Sequence, residues 1–151
     1  RDLIVTGVQT CALPIYALGT VWGWASTEAL DSQGDIISTG AVKEALGAYS
    51  RWRNVREMHE PRAIGVASHL SLMPKGLLVG ADIYDKKCWD KIKRGIYKGF
   101  SVGGVVTSKR PKNFEGKTVD VITGMTIAEI SVVDQPANPE AGFILVCERK
   151  E

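Results

Sequence analysis

Residues Gly99–Gly104 read Gly-Phe-Ser-Val-Gly-Gly and place Ser101 between glycines on a segment rich in β-forming residues. The pattern Gly-x-Ser-x-Gly also marks the nucleophile of the α/β-hydrolases, in which the acid and then the histidine follow the serine along the chain. Both histidines of this sequence, His59 and His69, precede Ser101. This order excludes the α/β-hydrolase arrangement and indicates a serine nucleophile on a strand, with its base upstream.

The composition is typical of one soluble globular domain. A chain of 151 residues, with 44% apolar and 24% charged residues, is long enough for a single hydrophobic core. No apolar run approaches the roughly 18 residues that span a bilayer, so no membrane partner is expected. The net charge of +2 is too small to indicate nucleic acid as a partner.

The first fifteen residues read differently from the rest of the chain. Residues 1–15 resemble a translated sequencing-adapter read fused to an open reading frame, and they lack the basic and apolar regions of a secretory signal. We therefore interpret 1–15 as a non-native segment and 16–151 as the functional domain. On this interpretation the natural protein begins further upstream, and a truncation of the domain 16–151 at its N-terminus is left open.

Most of the chain shows patterns typical of β-strands. Apolar alternation bounded by turn-forming residues predicts strands, and helical spacing of apolar residues predicts two helices. The predicted strands are 17–25, 54–59, 62–72, 77–84, 100–107, 119–122, 125–133 and 143–147, and the predicted helices are 39–52 and 85–95. A basic loop is expected at 109–112. The predicted fold class is α+β and mainly β: an antiparallel β-barrel, or a curled sheet, with helices on its outside.

His59 is the predicted general base. It follows Met58 and precedes Glu60 and Pro61, which places it at the end of a strand where proline stops the hydrogen-bond ladder. Imidazole exchanges protons near neutral pH and therefore suits this task. The competing histidine, His69, lies in the middle of a predicted hairpin strand, and we interpret it as a structural or surface histidine.

A third group is needed to orient the histidine. In the last long predicted strand Glu129 shares one face with Ile127 and Val133, and a carboxylate buried there requires a cationic or donor partner, which a histidine supplies. Glu129 is therefore the predicted third member, and Asp134 is the alternative. The other interpretation is that this face is solvated and that Glu129 is simply exposed.

The glycines around the serine have a predicted role of their own. Gly99 and Gly103 remove side chains on both sides of Ser101, which weakens the strand but lets a substrate backbone approach closely. The backbone amides of Gly103 and Gly104 are candidates for the oxyanion donors that acyl transfer needs.

Motifs spread along the chain resemble one known family. They are Trp22–Ser26 and Asp31–Ile37 near the start, Met58–Glu60 and Gly99–Gly103 in the middle, and Glu129–Pro139 near the end. The last reads Glu-Ile-Ser-Val-Val-Asp-Gln-Pro-Ala-Asn-Pro and is the most specific of them. In this unbroken order the motifs resemble the tailed-phage prohead serine proteases, in particular the XkdF-like proteins.

The resemblance implies a fold related to the herpesvirus assemblins, a β-barrel with surrounding helices. It implies that 16–151 is a prohead protease domain, a serine endopeptidase without cofactor or metal. Such an enzyme cleaves the scaffold protein, or the scaffold segment of the major capsid protein, inside the immature capsid in the host cytoplasm. Those two proteins are the expected partners, with a homo-oligomer left open. The herpesvirus enzymes use a second histidine after the serine, and none follows Ser101, so an acid or a dyad is implied here.

Two other functions stay open at this point. A capsid-assembly protein could keep the same barrel without the catalytic activity. A nucleic-acid-binding barrel could use the basic residues Lys109–Lys112, although no exposed aromatic residues that would stack on bases are interleaved with them.

Overall fold

The computed structural model describes residues 7–11 and 16–150, which form two β-sheets and two helices. The strands are β1 (Val8–Cys11), β2 (Gly19–Thr27), β3 (Asp35–Ile37), β4 (Asn54–Glu57), β5 (Glu60–Leu72), β6 (Gly76–Ile83), β7 (Gly99–Gly103), β8 (Val106–Phe114), β9 (Lys117–Met125), β10 (Glu129–Val133) and β11 (Phe143–Arg149), and the helices are α1 (Thr39–Tyr49) and α2 (Lys86–Lys93). The fold is α+β and mainly β, as predicted. Residues 1–6 and 12–15 of the segment interpreted as non-native lie outside the described residues, and that interpretation stays a prediction.

The larger sheet carries the main core and has the strand order β1-β11-β2-β6-β5-β4-β10-β7. Strands β5 and β6 pair antiparallel as a hairpin, which confirms the sequence prediction, and β2 pairs antiparallel with β6. Strand β10 lies between β4 and β7, and all five of its residues are buried. The interior of the protein therefore surrounds the strand on which the predicted acid lies.

The closed antiparallel barrel of the sequence prediction is not found among the described residues. The larger sheet ends in two edges, β1 and β7, and it contains two parallel pairs, β1 with β11 and β4 with β10. It curls far enough for β7 to reach the chain that enters β11. There Phe100 N–H donates to the Ala141 carbonyl at 2.9 Å and Phe143 N–H donates to the Lys98 carbonyl at 2.8 Å. A curled mixed sheet, rather than an antiparallel barrel, describes the architecture.

The smaller sheet has the order β3-β9-β8 and its own apolar cluster, centred on Ile36, Val119 and Val121. Strand β8 includes 109–112, so the prediction of a basic loop there is wrong. The reason is that β8 lies at an edge of this sheet. Pro111 has no amide hydrogen to donate, and a strand at an edge tolerates that loss.

Side-chain caps begin both helices. The hydroxyl of Ser38 accepts from Ala41 N–H at 3.1 Å before α1, and the carboxylate of Asp85 accepts from Cys88 N–H at 2.8 Å before α2. The second cap confirms the predicted start of that helix, whereas α1 ends at Tyr49, earlier than predicted. Within the described part of the chain, no helix is both long and apolar enough to cross a membrane.

Candidate active site

Strands β7 and β10 carry the predicted nucleophile and the predicted acid. The sequence predicted one strand over 125–133, but β10 begins only at Glu129. Its antiparallel pairing with β7 sets Ser101 opposite Ser131 and Gly103 opposite Glu129. Ser101 and Glu129 are therefore diagonal neighbours on adjacent strands, close enough for one imidazole to reach both.

A tight turn between β4 and β5 carries His59. Glu57 and Glu60 pair across the stem, and the two turn residues, Met58 and His59, have positive φ angles of 53° and 60°. Two consecutive left-handed residues are typical of the type I′ hairpin turn, and histidine adopts this conformation more often than most side chains. The strand break expected at Pro61 is therefore wrong: the break lies at the turn, and Pro61 is inside β5.

Hydrogen bonds to β10 hold this turn in place. Met58 N–H donates to the Val132 carbonyl at 3.0 Å, and His59 N–H donates to Oγ of Ser131 at 3.0 Å. The first bond continues the parallel pairing of β4 with β10, and the second adds a side-chain acceptor from the same strand. The backbone of His59 is consequently fixed to the same strand that carries Glu129.

The structure brings the three predicted side chains into one hydrogen-bonded chain. Nε2 of His59 lies 2.9 Å from Oγ of Ser101, and Nδ1 of His59 lies 2.6 Å from Oε2 of Glu129. Glu129 is only 4% exposed, so its interpretation as a simply exposed residue is wrong, whereas the His59 side chain is 42% exposed. A serine, an imidazole and a carboxylate in this order can activate the serine for acyl transfer.

The two competing residues lie elsewhere. Asp134 follows β10 and is exposed, and no hydrogen bond or ion pair between described residues joins it to His59. His69 is exposed and stacks against Trp22 with the ring centroids 4.9 Å apart, in agreement with its interpretation as a structural or surface histidine.

Ser131 is a further polar residue of the site, and sequence reasoning missed it. It is completely buried, and its hydroxyl donates to Oε1 of Glu129 while it accepts the amide hydrogen of His59. One side chain thus ties the carboxylate to the backbone of the histidine. The available signal was its position two residues after Glu129, which places both side chains on the same face of a strand.

Gly103 makes room for the contact between carboxylate and imidazole. A Cβ at this position would overlap Oε2 of Glu129 and come within 3.1 Å of Nδ1 of His59. At Gly99 a Cβ would overlap the carbonyl oxygen of Ala141. The prediction that these glycines admit a substrate backbone is therefore wrong, because groups of the protein itself occupy the space.

Replacing Gly103 with alanine should therefore separate Glu129 from His59. A displacement of about 1 Å at a reacting group can lower a rate about 10²-fold, and we expect at least that loss in the rate at which a fluorophosphonate labels Ser101. The rate is measured by mass spectrometry of the labelled protein over time.

Gly47→Ala is the matched control, because Gly47 lies in α1 with open space where its Cβ would be. It should label at the wild-type rate and gain up to about 1 kcal/mol in folding free energy. Wild-type labelling of the Gly103→Ala variant would contradict the role given to that glycine.

A second buried carboxylate supports the stem of the turn. Glu57 accepts from the Tyr97 hydroxyl at 2.6 Å and from the Arg62 guanidinium at 2.8 Å. Burial by itself would raise the pKa of Glu57, but these donors outweigh it and hold the pKa below its ordinary value. Glu57 is therefore ionised at neutral pH and connects β4 to Arg62 and Tyr97, two residues before His59 in the chain.

Ser101 and His59 line a cleft of about 220 Å³ to which both sheets contribute. Val102 and Gly104 belong to its lining on the β7 side, and Ile122 belongs to its lining on the side of the smaller sheet. The carbonyl group of a substrate bound in this cleft can therefore reach the Ser101 hydroxyl.

The two candidate oxyanion donors differ in their surroundings. The Gly103 carbonyl accepts from Ala128 N–H at 2.8 Å. The N–H and C=O groups of one strand residue point to the same side, so the Gly103 amide also faces the segment that leads into β10. Phe100 N–H points away from β10, and amide directions alternate along a strand, so the Val102 amide points the same way as that of Phe100. Gly104 lines the cleft together with Val102.

A serine, a histidine and a buried carboxylate linked in this way form the arrangement of the serine hydrolases. The chain belongs to the caudovirus prohead serine proteases, since the model of that family matches residues 12–151. This match confirms the resemblance seen in the sequence motifs, and it makes the protein a member of a peptidase family of the prohead, the immature capsid of tailed phages. No curated protein matches the chain significantly.

Proposed function

We propose that the protein is a serine endopeptidase that cleaves the scaffold protein, or the scaffold segment of the major capsid protein, during maturation of the phage prohead. One observation carries this proposal: Nε2 of His59 lies 2.9 Å from Oγ of Ser101 while Nδ1 of the same ring contacts Glu129. A ring held by a carboxylate at one nitrogen offers the other nitrogen as a proton acceptor. Membership of the prohead protease family supports a peptide bond as the target.

The first half of the reaction forms an acyl-enzyme. With Nδ1–H of His59 donating to Glu129, Nε2 is unprotonated and removes the hydroxyl proton of Ser101 as Oγ bonds to the scissile carbonyl carbon. The tetrahedral intermediate then collapses, the carbon–nitrogen bond breaks, and the imidazolium returns the proton to the leaving amine. The acyl group remains on Ser101 as an ester.

The second half repeats these steps with water. His59 removes a proton from the water that attacks the ester, and it returns that proton to Oγ of Ser101 as the acid product leaves. In both halves the carboxylate of Glu129 stabilises the imidazolium and keeps the ring in one orientation. The hydroxyl of Ser131 holds Glu129 in position for this task.

The oxyanion of each tetrahedral intermediate needs donors on the cleft side of β7. We assign this role to the backbone amides of Val102 and Gly104, because both residues line the cleft that Ser101 also lines. Gly103, the other candidate from the sequence, has its carbonyl bound by Ala128 and is left out of this assignment.

The proposal includes the fold relationship, the partners and the place of action that the resemblance implies. A curled β-sheet with two helices is compatible with kinship to the herpesvirus assemblins, with Glu129 in the place of their second histidine. The scaffold and major capsid proteins are the proposed partners, and the site of action is the inside of the prohead in the host cytoplasm.

Labelling with a fluorophosphonate tests the chemistry directly. We expect one adduct, located on Ser101 by peptide mass spectrometry, in the folded protein and none after heat denaturation. The competing function, a capsid-assembly protein without activity, requires that no serine is labelled and that co-expressed scaffold and capsid proteins keep their full length. That combination would refute the proposed endopeptidase.

A further inference from the structure

We propose that the cleft beside Ser101 contains a subsite for a cationic side chain, a lysine or an arginine, of the peptide substrate. Asp31, Asp35 and Ser26 form this subsite, and all three line the same cleft as Ser101 and His59. The inference rests on the proposed function, because it names the substrate chemistry that this site selects.

Two carboxylates from the turn before β3 line the cleft. Oδ1 of Asp31 accepts from the backbone amides of Gln33 and Asp35, each at 2.9 Å, and these bonds fix the Asp31 side chain. Gly34, with φ of 83°, allows the chain to turn between the two acids. In the described ranges neither Asp31 nor Asp35 takes part in a salt bridge.

The electrostatics around Asp35 favour a bound cation. Burial raises the pKa of Asp35, and the charges of Asp31 and Asp120 raise it further, against an opposing effect of Lys109. The ammonium of Lys109 is itself bound to Asp120, 3.1 Å from Oδ2. A cation from the substrate would relieve the repulsion between the carboxylates that Lys109 leaves uncompensated.

A buried hydroxyl provides the independent observation. Ser26 is only 3% exposed, and its Oγ has no hydrogen-bond partner among the residues that the structure describes. Buried polar atoms are rarely left without a partner. Because Ser26 lines the cleft, an ammonium or guanidinium held by Asp31 and Asp35 can donate to this oxygen as well.

The remaining lining suits the long stem of such a side chain. Ile37, Ile122 and Met125 contribute apolar surface to the same cleft. Lysine and arginine carry their charge at the end of several methylene groups, which pack on apolar surface while the charged group reaches a polar partner. A short side chain would not cover the apolar lining, and an acidic side chain would not pair with the carboxylates.

Binding to the Ser101→Ala protein tests the subsite without any need for catalysis. Two pools of fluorescein-labelled octapeptides are compared by fluorescence anisotropy; they are identical except for one central position, which is lysine in the first pool and norleucine in the second. We expect the lysine pool to bind at least about tenfold more tightly, because one charge-assisted hydrogen bond provides an affinity difference of about this size. Adding Asp31→Asn and Asp35→Asn should abolish this difference.

Glu44→Gln is the matched control, since Glu44 is an exposed acid on α1 away from the cleft lining. It removes one negative charge and should keep the preference for lysine. Should the double variant unfold in a thermal melt, Asp35→Asn alone and Ser26→Ala alone replace it, and each should weaken the preference at least threefold. Equal or undetectable binding of the two pools, or a preference that survives these changes, would overturn the subsite.

The outcome for the subsite can be separated from the outcome for the proposed function. If the wild-type protein is labelled on Ser101 but the Ser101→Ala protein binds both pools equally, the endopeptidase stands and the subsite is removed. A protein that is never labelled removes the endopeptidase and, with it, the substrate role of the subsite, whatever the pools show.

Discussion

Ser101→Ala is expected to abolish the shortening of a co-expressed scaffold protein and to leave the fold intact. Removal of Oγ removes the atom that forms the acyl-enzyme, so the cleavage rate should fall about 10⁴-fold or more. The free energy of unfolding should change by no more than about 0.5 kcal/mol. The reason is that the His59 side chain is 42% exposed, so water can replace the lost partner of its Nε2.

The experiment compares intact masses of scaffold and capsid proteins after co-expression with each variant. Ser71→Ala is the matched control, because Ser71 is an exposed serine of β5 that lies outside the cleft lining. It should process its substrates as the wild-type protein does, and thermal melts should show that both variants are folded. Processing at the wild-type rate by the Ser101→Ala protein would mean that this serine is not the nucleophile.

The residues of the candidate site that the sequence proposed, and that the structure brings together, were found from local patterns. A carboxylate between apolar neighbours on a strand needs a partner if it is buried, and this rule led to Glu129. The same period of two places Ser131 on the same face. The role of its hydroxyl was not predicted, because a serine among apolar residues gives no sign of its hydrogen-bond partners.

The turn that carries His59 was misplaced for a local reason as well. Two-residue hairpin turns are usually recognised by Asn-Gly or Asp-Gly, and Met58–His59 lacks that signal. Pro61 offered a more obvious break, although β5 accommodates it. In the protein, a backbone conformation that histidine adopts more often than most residues coincides with the position where the imidazole reaches Ser101.

What the sequence could not show is the pairing between distant segments. Val55 and Ile130 are partners in the parallel pair of β4 and β10, and nothing in either segment encodes that neighbour. This pair is what brings the His59 turn beside Glu129. The barrel prediction failed for the same reason, since closure depends on tilt and register accumulated over all strands rather than on any one of them.

Glu129→Gln is expected to lower the cleavage rate about 10²- to 10⁴-fold while the protein remains folded. Glutamine keeps the size of the side chain, but only one of its two ends can accept a hydrogen bond. If the amide nitrogen faces Nδ1 of His59, the ring must carry its proton on Nε2 and can no longer accept the proton of Ser101. If the amide nitrogen faces Ser131, the hydroxyl proton of that buried serine loses its acceptor.

Asp134→Asn provides the control for this change and tests the alternative acid at the same time. It removes the same charge from an exposed residue five positions along the chain, and the rate should stay within about twofold of wild type. Rates of scaffold cleavage and of fluorophosphonate labelling are measured for both variants. A larger loss with Asp134→Asn than with Glu129→Gln would transfer the orienting role to Asp134. The reason is that the residue that fixes the imidazole controls both the acylation of Ser101 and the hydrolysis of the acyl-enzyme.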